Sequence, residues 1–454
     1  MHEMSKKAKR CADTIKEHKR ALIVSHIDAD GLTSAAIICK ALERAGIESD
    51  VKFLKQLDLS ALEDIANQGT DLVIFTDLGS GLAGKISEFQ FTSVIVDHHQ
   101  VNGEIDLHLN PHIFGIDGSH ELSGSGTAFI LAQSLGDNRD LADLAIVGAV
   151  GDLQARREGK LVGMNREILK IGEEVGVLSP EKDVRFFGKQ TRPIYMLLQY
   201  SNDPYIPGIT GNEQASISFL QRIGIELKRE DWRRWIDLTI EEKQKIVSNL
   251  IQHCISKGVS QSRLERLVGE VYTLKREEEG SEMRDASEYS TLLNATARYD
   301  FAAVGLAVCL GDREDAYRRA RSLLSEHRRN LVQGLELVKS IGVTELDNLQ
   351  YFYAGDQIRE TIVGIIAGMS MNTYNRSIPI IGIVDAEDGI KISSRGNQKL
   401  VRKGLNLGAA ISESAKTVGG IGGGHDIAAG ATIPKGSMEE FLNIFDQKIG
   451  VQIG

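Results

Sequence analysis

The chain is short of cysteine and proline and has no long apolar run, and each shortage narrows what it can be. Its four cysteines, Cys11, Cys39, Cys254 and Cys309, lie far apart and form no C-x-x-C pair. That spacing argues against a structural zinc site and fits reduced thiols in a cytoplasmic protein. No apolar run approaches the roughly 18–20 residues that a membrane span needs. The N-terminal stretch MHEMSKKAKRCADTIKEHKR is charged and lacks an apolar core, so it reads as a polar helix and not as a signal peptide. Only seven prolines occur, and three of them fall in TRPIYMLLQYSNDPYIPGITG. There is no tandem repeat and no low-complexity tract. An excess of positive charge is missing too: the formal net charge is −10, which taken alone argues against a nucleic-acid partner. A site built from carboxylates inverts its local sign when divalent cations bind, so the local grouping of basic residues matters more than the total.

What is present describes a globular chain of more than one domain. It has 454 residues, 42% hydrophobic and 26% charged. In the first part, short β-branched runs alternate with helical stretches. ALIVS (21–25), LVIFTD (72–77) and SVIVD (93–97) are continuous apolar runs of the kind that form strands buried on both faces. LTSAAIICKALERAG (32–46), GTAFILAQSL and LADLAIVGAVGD have helical spacing. The alternation predicts an α/β fold with a doubly wound, mostly parallel sheet. The texture changes at about Phe186, where a helical middle insertion is expected. We expect a first domain over 1–185, the insertion over 186–290, a connecting helical segment over 291–341, and a smaller α/β domain over 342–454. The connector includes an Arg-rich helix starting at Glu314. The last domain carries the strand-like runs LQYFYAG, IPIIGIVDA and IKISSRG, then a helix near 405–417 and the glycine-rich GGIGGGHDIAAGATIP.

The chemistry gathers where predicted strands or helices end. SHIDADG puts His26, Asp28 and Asp30 just after the first strand; Asp77 ends LVIFTD; Asp97, His98 and His99 end SVIVD; Asp152 follows AIVGAVG. One Asp after a strand is most often a solvated loop residue. Several buried strands delivering carboxylates and imidazoles to one edge is another matter, because their repulsion destabilises the fold unless cations compensate it. Oxygen and imidazole donors without cysteine suit Mn²⁺ or Mg²⁺ better than structural zinc.

In order along the chain, H-x-D-x-D-G, a strand-end Asp, D-H-H and a later G-D resemble the four motifs of the DHH phosphoesterase superfamily. The C-terminal GGIGGGHDIAAGATI resembles the G-G-G-H motif of its DHH-associated second domain. The resemblance implies a dinuclear centre with two divalent ions, Mn²⁺ first and Mg²⁺ second. His26, Asp28 and Asp77 would hold one ion, and Asp30, Asp77, His98 and Asp152 the other, with Asp77 as the bridge. Bacterial RecJ proteins usually carry Asp where this chain has His26. His99 would lie beside the scissile phosphate or the attacking water, so the catalytic set is Asp77, His98 and His99. In the second domain, Gly422, Gly423 and Gly424 could form an anion-binding nest of backbone N–H groups, with His425 and Arg395 as added donors.

The length of the middle insertion, together with TRPIYMLLQYSNDPYIPGITGNE and EYSTLLNATARYD, is similar to archaeal RecJ-like proteins. That likeness implies a single-strand-specific exonuclease releasing mononucleotides by activated water, acting in DNA replication or repair. Its relatives suggest GINS or a fork-processing helicase as partners. Two alternatives come with the resemblance, a small-oligonucleotide phosphodiesterase and a replication-fork scaffold related to a eukaryotic helicase factor. Basic residues that could line a nucleic-acid path are Arg313, Arg318, Arg319, Arg321, Arg328 and Arg329 on the connector, Arg156, Arg157 and Lys160 after Asp152, and Arg402 and Lys403 after Arg395.

Overall fold

The structure, a computed structural model, describes residues 2–201, 204–371 and 373–453. It divides into two compact units, Met1–Arg321 and Ser322–Gly454.

The first unit is built on five strands: β1 (Arg20–His26), β2 (Glu48–Leu54), β3 (Leu72–Thr76), β4 (Thr92–Val96) and β5 (His108–Leu109). Their order is β2-β1-β3-β4-β5 and every pair is parallel. Every residue of β3 is buried, as a continuous Val/Ile/Phe run between two helical layers must be. The edge strands β2 and β5 escaped the sequence reading. ESDVKFL has no fully buried position and no apolar run, and β5 is two residues long. Helix α1 (His2–Lys16) packs on this sheet region through Met4, Ala8, Cys11, Ala12 and Ile15.

The winding reverses between β1 and β3, so the crevice beyond their C-terminal ends is the ligand-binding edge expected of an open α/β sheet. Helix α2 (Ala29–Arg44) starts there, three residues earlier than periodicity predicts. The reason is local: the Asp28 side chain accepts the Gly31 N–H at 3.0 Å, capping the helix and drawing Asp30 into its first turn. A Cβ at Gly31 would lie 2.2 Å from the His26 carbonyl oxygen, so the close of this turn needs glycine. The helices Gly124–Leu135 and Ala142–Gly151 pack against α2 and complete the layer beneath the site.

Strands Leu178–Val184 and Val268–Leu274 form an antiparallel ribbon that the sequence reading did not foresee. Pro180 is tolerated there because the ribbon has only two strands and so two free edges. Between them lie the helices Ile194–Gln199, Glu213–Arg222 and Ile240–Ser256 around their own core, which includes Trp235, Phe219, Leu220, Ile246 and Leu250. The long helix Asp315–Ile341 is where the chain passes from one unit to the next.

The second unit holds a six-stranded sheet. Its order is Ile421–Gly424, Ala428–Ile433, Gly389–Arg395, Ile380–Ala386, Gln350–Tyr353 and Thr344–Glu345, antiparallel except where Ile380–Ala386 meets Gln350–Tyr353. Among the described residues no helix is long and apolar enough to cross a membrane. All four cysteines are unbonded, and burial pushes the Cys11 and Cys309 thiols up to about 12, which removes them as nucleophiles.

Candidate metal centre

Four chain segments deliver the acidic and imidazole groups to one place. β1 and the start of α2 supply His26, Asp28 and Asp30; the end of β3 supplies Asp77; the end of β4 supplies His98 and His99; Asp152 caps the helix Ala142–Gly151. Asp77 takes a left-handed backbone (φ 56°), strain that Asp tolerates better than most residues, and its N–H is tied to the Val96 carbonyl. That turn aims its carboxylate along the sheet edge toward both histidines. Asp77 Oδ2 is 3.6 Å from His26 Nδ1 and Oδ1 is 3.2 Å from His98 Nε2.

Around Asp77 the donors fall into overlapping groups. His26, Asp28 and Asp77 form one; Asp30, His98 and Asp152 form a second; Asp77, His98 and His99 form a third. Within each group the donor atoms lie within 4.8 Å of one another. All six candidate donors named from the sequence are therefore brought together, Asp77 being shared by the first and third groups and His98 by the second and third.

The electrostatics favour positive charge among these groups. Burial, and then the Asp77 and Asp152 carboxylates, push the Asp30 carboxyl up to about 8. Burial also raises Asp152, reinforced by Asp77 and Asp28 against the opposing pull of His98. Burial lowers His26, but Asp28 and Asp77 outweigh it and hold the imidazole well above its ordinary value. His98 behaves alike: burial opposes its charge, and Asp77, Asp152 and Asp30 override it. Asp77 Oδ1 is buried and accepts no aligned hydrogen bond from any described residue. A buried orphan carboxylate oxygen beside two more acids and an imidazole is a donor set that fits hard divalent cations.

Several residues hold this set in place without belonging to it. The His98 Nδ1–H donates to the Gly118 carbonyl at 2.6 Å, which fixes the tautomer and leaves Nε2 facing Asp30, Asp77 and Asp152. Asp97, the first letter of D-H-H, is a positioning residue. It accepts the N–H groups of Ser80, His98 and His99 and the His99 Nδ1–H. Burial would raise its carboxyl, but these contacts hold it far below the usual carboxylate range. His99 is pinned by Nδ1 and is half-exposed, and against burial Asp97 lifts it to about 9.

Sequence reasoning missed Gly124, Ser125 and Gly148. Asp30 accepts the N–H groups of Gly124 and Ser125, at 2.7 and 3.0 Å, at the first turn of the helix Gly124–Leu135. A Cβ at Gly124 would lie 2.6 Å from Asp77 Oδ1, and one at Gly148 would lie 2.4 Å from Asp30 Oδ1. The signal available was S-G-S-G just ahead of a helix. Arg298 was missed as well. It ends the helix Ala286–Arg298, where burial lowers its guanidinium against the pull of Asp28. Four residues earlier on that helix, Asn294 Oδ1 accepts the Ala29 N–H.

In the second unit the glycine run is placed otherwise than expected. Gly422, Gly423 and Gly424 are not a nest: they form an extended edge strand paired with Ala431, Gly430 and Ala429. A nest needs successive N–H groups on one side, and an antiparallel ladder alternates them. Gly422 and Gly424 are required by packing, since a Cβ would lie 2.9 Å from Ala431 and 2.6 Å from the Ala428 carbonyl oxygen, and Gly424 has φ +142°. Gly423 faces open space. His425 is exposed and its N–H closes the hairpin on the Ala428 carbonyl. Arg395 ends its strand as expected, but lies along the helix Glu360–Ser370: a Cβ at Gly364 would sit 2.3 Å from its Nη2, and its Nη1 donates to the Ser394 carbonyl. Part of the connector's basic face is engaged in ion pairs, Arg313 with Glu277, Arg318 with Asp315 and Arg321 with Glu282.

Comparison with known proteins adds three domain matches. Residues 20–149 match the N-terminal domain of the DHH family, 186–268 the DHH-CID domain and 347–450 the DHHA1 domain. An uncharacterised protein of Methanocaldococcus jannaschii is 32% identical over 464 aligned positions, covering 100% of this chain and 99% of that protein. The single-stranded-DNA-specific exonuclease RecJ of Bacillus subtilis is 29% identical over 168 residues, 34% of this chain and 21% of that one. Two solved structures share the fold. Mn²⁺-bound RecJ of Thermus thermophilus superposes with a TM-score of 0.61 at 15% identity, over 99% of this chain and 55% of that one. CDC45 of Entamoeba histolytica superposes with 0.68 at 12% identity, over 99% and 98%.

Proposed function

The chain belongs to the DHH superfamily as a RecJ-like protein, and from that premise we propose that it is a divalent-metal-dependent exonuclease hydrolysing single-stranded nucleic acid, DNA foremost, to mononucleotides. The observation that carries the reading is the position of Asp77, buried and shared between two sets of metal-capable donors.

On this reading His26, Asp28 and Asp77 would hold one cation, and Asp30, Asp77, His98 and Asp152 the other. When bound, the two cations supply the positive charge that makes water acidic enough to attack and that offsets the charge of the phosphate. The chain does the rest. Asp97 orients the paired histidines. Gly118 fixes His98 so that Nε2 faces the carboxylates, and Gly124 and Ser125 anchor Asp30. His99, pinned through Nδ1, presents its other nitrogen as a donor for a phosphate oxygen. Arg298 adds a fixed positive charge beside Asp28. Arg395, Gly422, Gly423, Gly424 and His425 are the proposed contacts of the second unit with the substrate. Mn²⁺ is the proposed ion and Mg²⁺ the alternative, since both suit oxygen and imidazole donors. A role in replication or repair with GINS or a fork-processing helicase belongs to the same proposal.

The test is one gel: 5′- and 3′-labelled single-stranded DNA, the same sequence as RNA, and a blunt duplex, each with Mn²⁺ or with EDTA. The reading expects single-strand trimming to mononucleotides that EDTA abolishes. Activity confined to two- to five-mers replaces it with a small-oligonucleotide phosphodiesterase, and no hydrolysis in any lane overturns it.

A further inference from the structure

The inserted segment carries a surface that the metal centre does not use. Residues 186–268 hold twelve lysines and arginines against nine aspartates and glutamates, in a chain whose net charge is −10. Aromatic side chains gather on one part of it. The chain at 192–195 runs beside 232–234: the Ile194 N–H donates to the Arg233 carbonyl, and Pro193 bridges to Arg234. This brings the Tyr195 and Trp232 rings to 4.9 Å between centroids. On the same stretch the Arg192 guanidinium lies 4.7 Å from the Phe187 ring and 5.4 Å from the Tyr200 ring. Gly188 makes room for it, since a Cβ there would lie 2.4 Å from Arg192 Cδ. Tyr200 is 47% exposed and Trp232 41%.

Trp232 also walls an open groove of about 480 Å³ whose floor is Ile217, Ile225 and Leu227. Lys228 lines that groove, and the Lys245 ammonium stands over Gly224 at its rim. Its one lining carboxylate, Glu226, is already bonded to Arg229. Exposed rings, one walling a groove that a lysine lines and one against a guanidinium, match a base and its phosphate.

We propose that this face of the inserted segment binds single-stranded nucleic acid, with a base stacked on Trp232 in the groove and a neighbouring base on the Tyr200–Arg192 pair. The proposal rests on the preceding reading only for the substrate class. It makes the insertion an exosite that holds the strand away from the site of hydrolysis and lowers KM for long substrates.

Fluorescence tests it directly, because the chain has two tryptophans and the other, Trp235, is 2% exposed. The full chain in EDTA, where no hydrolysis occurs, is titrated with a dT 20-mer at low and moderate salt. Tryptophan emission should be quenched, and the quench should vanish in Trp232→Phe. The dissociation constant measured by anisotropy should rise about tenfold in Trp232→Ala and several-fold in Tyr200→Ala, with unchanged circular dichroism, and should weaken with salt. Quenching by a poly-glutamate peptide but not by the oligonucleotide overturns the proposal in favour of an acidic protein partner. Equal dissociation constants for wild type and both alanine variants overturn it outright. Quenching without any Mn²⁺-dependent hydrolysis leaves it standing while the exonuclease reading falls.

Discussion

The carboxylate cluster of the first unit and the glycine hairpin of the second are both motif-bearing ends of strands, built in opposite ways. Around Asp30, Asp77 and His98 the side chains are 1–6% exposed, and their charges oppose one another. Around Gly423 the backbone lies open, with nothing within 4 Å of where a Cβ would stand. In the first, glycine serves the carboxylates: Gly124 and Gly148 exist because acid oxygens occupy the space a methyl group would take. In the second, Gly422 and Gly424 serve the ladder and the packed helix, and Gly423 alone has no packing reason to be glycine. A buried charge cluster declares its ligand through the cost of leaving it uncompensated, whereas an open strand declares only that something can approach.

That contrast can be broken in several places. The largest effect is expected at Asp77→Asn, which keeps a side chain suited to φ 56° and removes the shared charge. Hydrolysis of labelled single-stranded DNA should fall on the order of 10³-fold or more, the scale reached when one preorganised charge-stabilising group is lost. Its melting temperature in EDTA should hold or rise. Substantial residual turnover would remove Asp77 from the centre of the mechanism.

Next is the metal itself. Mn²⁺ at about a hundred times its dissociation constant should stabilise the wild-type protein by about 2.7 kcal/mol, and Asp77→Asn should lose that gain. A thermal shift equal in both proteins would mean the ion binds elsewhere.

Third, Gly124→Ala should lower metal affinity or activity about 10–100-fold, as changes behind metal ligands do, while Gly423→Ala should leave melting temperature and Mn²⁺ affinity untouched. If Gly423→Ala raises KM for DNA at constant kcat, the open strand is a substrate contact; if it lowers stability, the strand is as structural as its neighbours.

The smallest effect is expected in the pH dependence of stability at His108, whose Nε2 meets Ser80 Oγ at 2.8 Å. Burial lowers this imidazole to about 4, against the opposing charge of Asp97. The unfolded chain therefore takes up this proton first, so stability present above about pH 6.5 is lost as pH falls toward about 4. The contribution is on the order of 3 kcal/mol. Denaturation in EDTA across that range should give a flatter curve for His108→Gln than for wild type; parallel curves would show the histidine to be solvated.

Much of the site was legible because its letters are chemical. Asp and His at strand ends are conspicuous in a chain whose strands are otherwise Val, Ile, Leu and Phe, and all six named ligands converge. What was not legible belonged to the backbone or to partial burial. Arg298 lies more than 200 positions from the residues it serves. The edge strands β2 and β5 have too few apolar positions to stand out, and the ribbon that frames the insertion contains a proline. The glycine run was misread as a nest because glycine permits both a nest and a strand, and only pairing with Ala428–Ile433 chooses between them.

By itself the sequence determined the alternation of buried strands and helices, the order of the acidic motifs, and which donor types could meet a cation. Those follow from hydrophobic periodicity and side-chain chemistry, which are local. Only the tertiary structure decided that Asp77 is shared by two donor groups, that a helix N-terminus grips Asp30, and that Trp232 meets Tyr195 while Tyr200 meets Arg192. Those depend on which distant segments pack together, and packing is settled by the whole core at once.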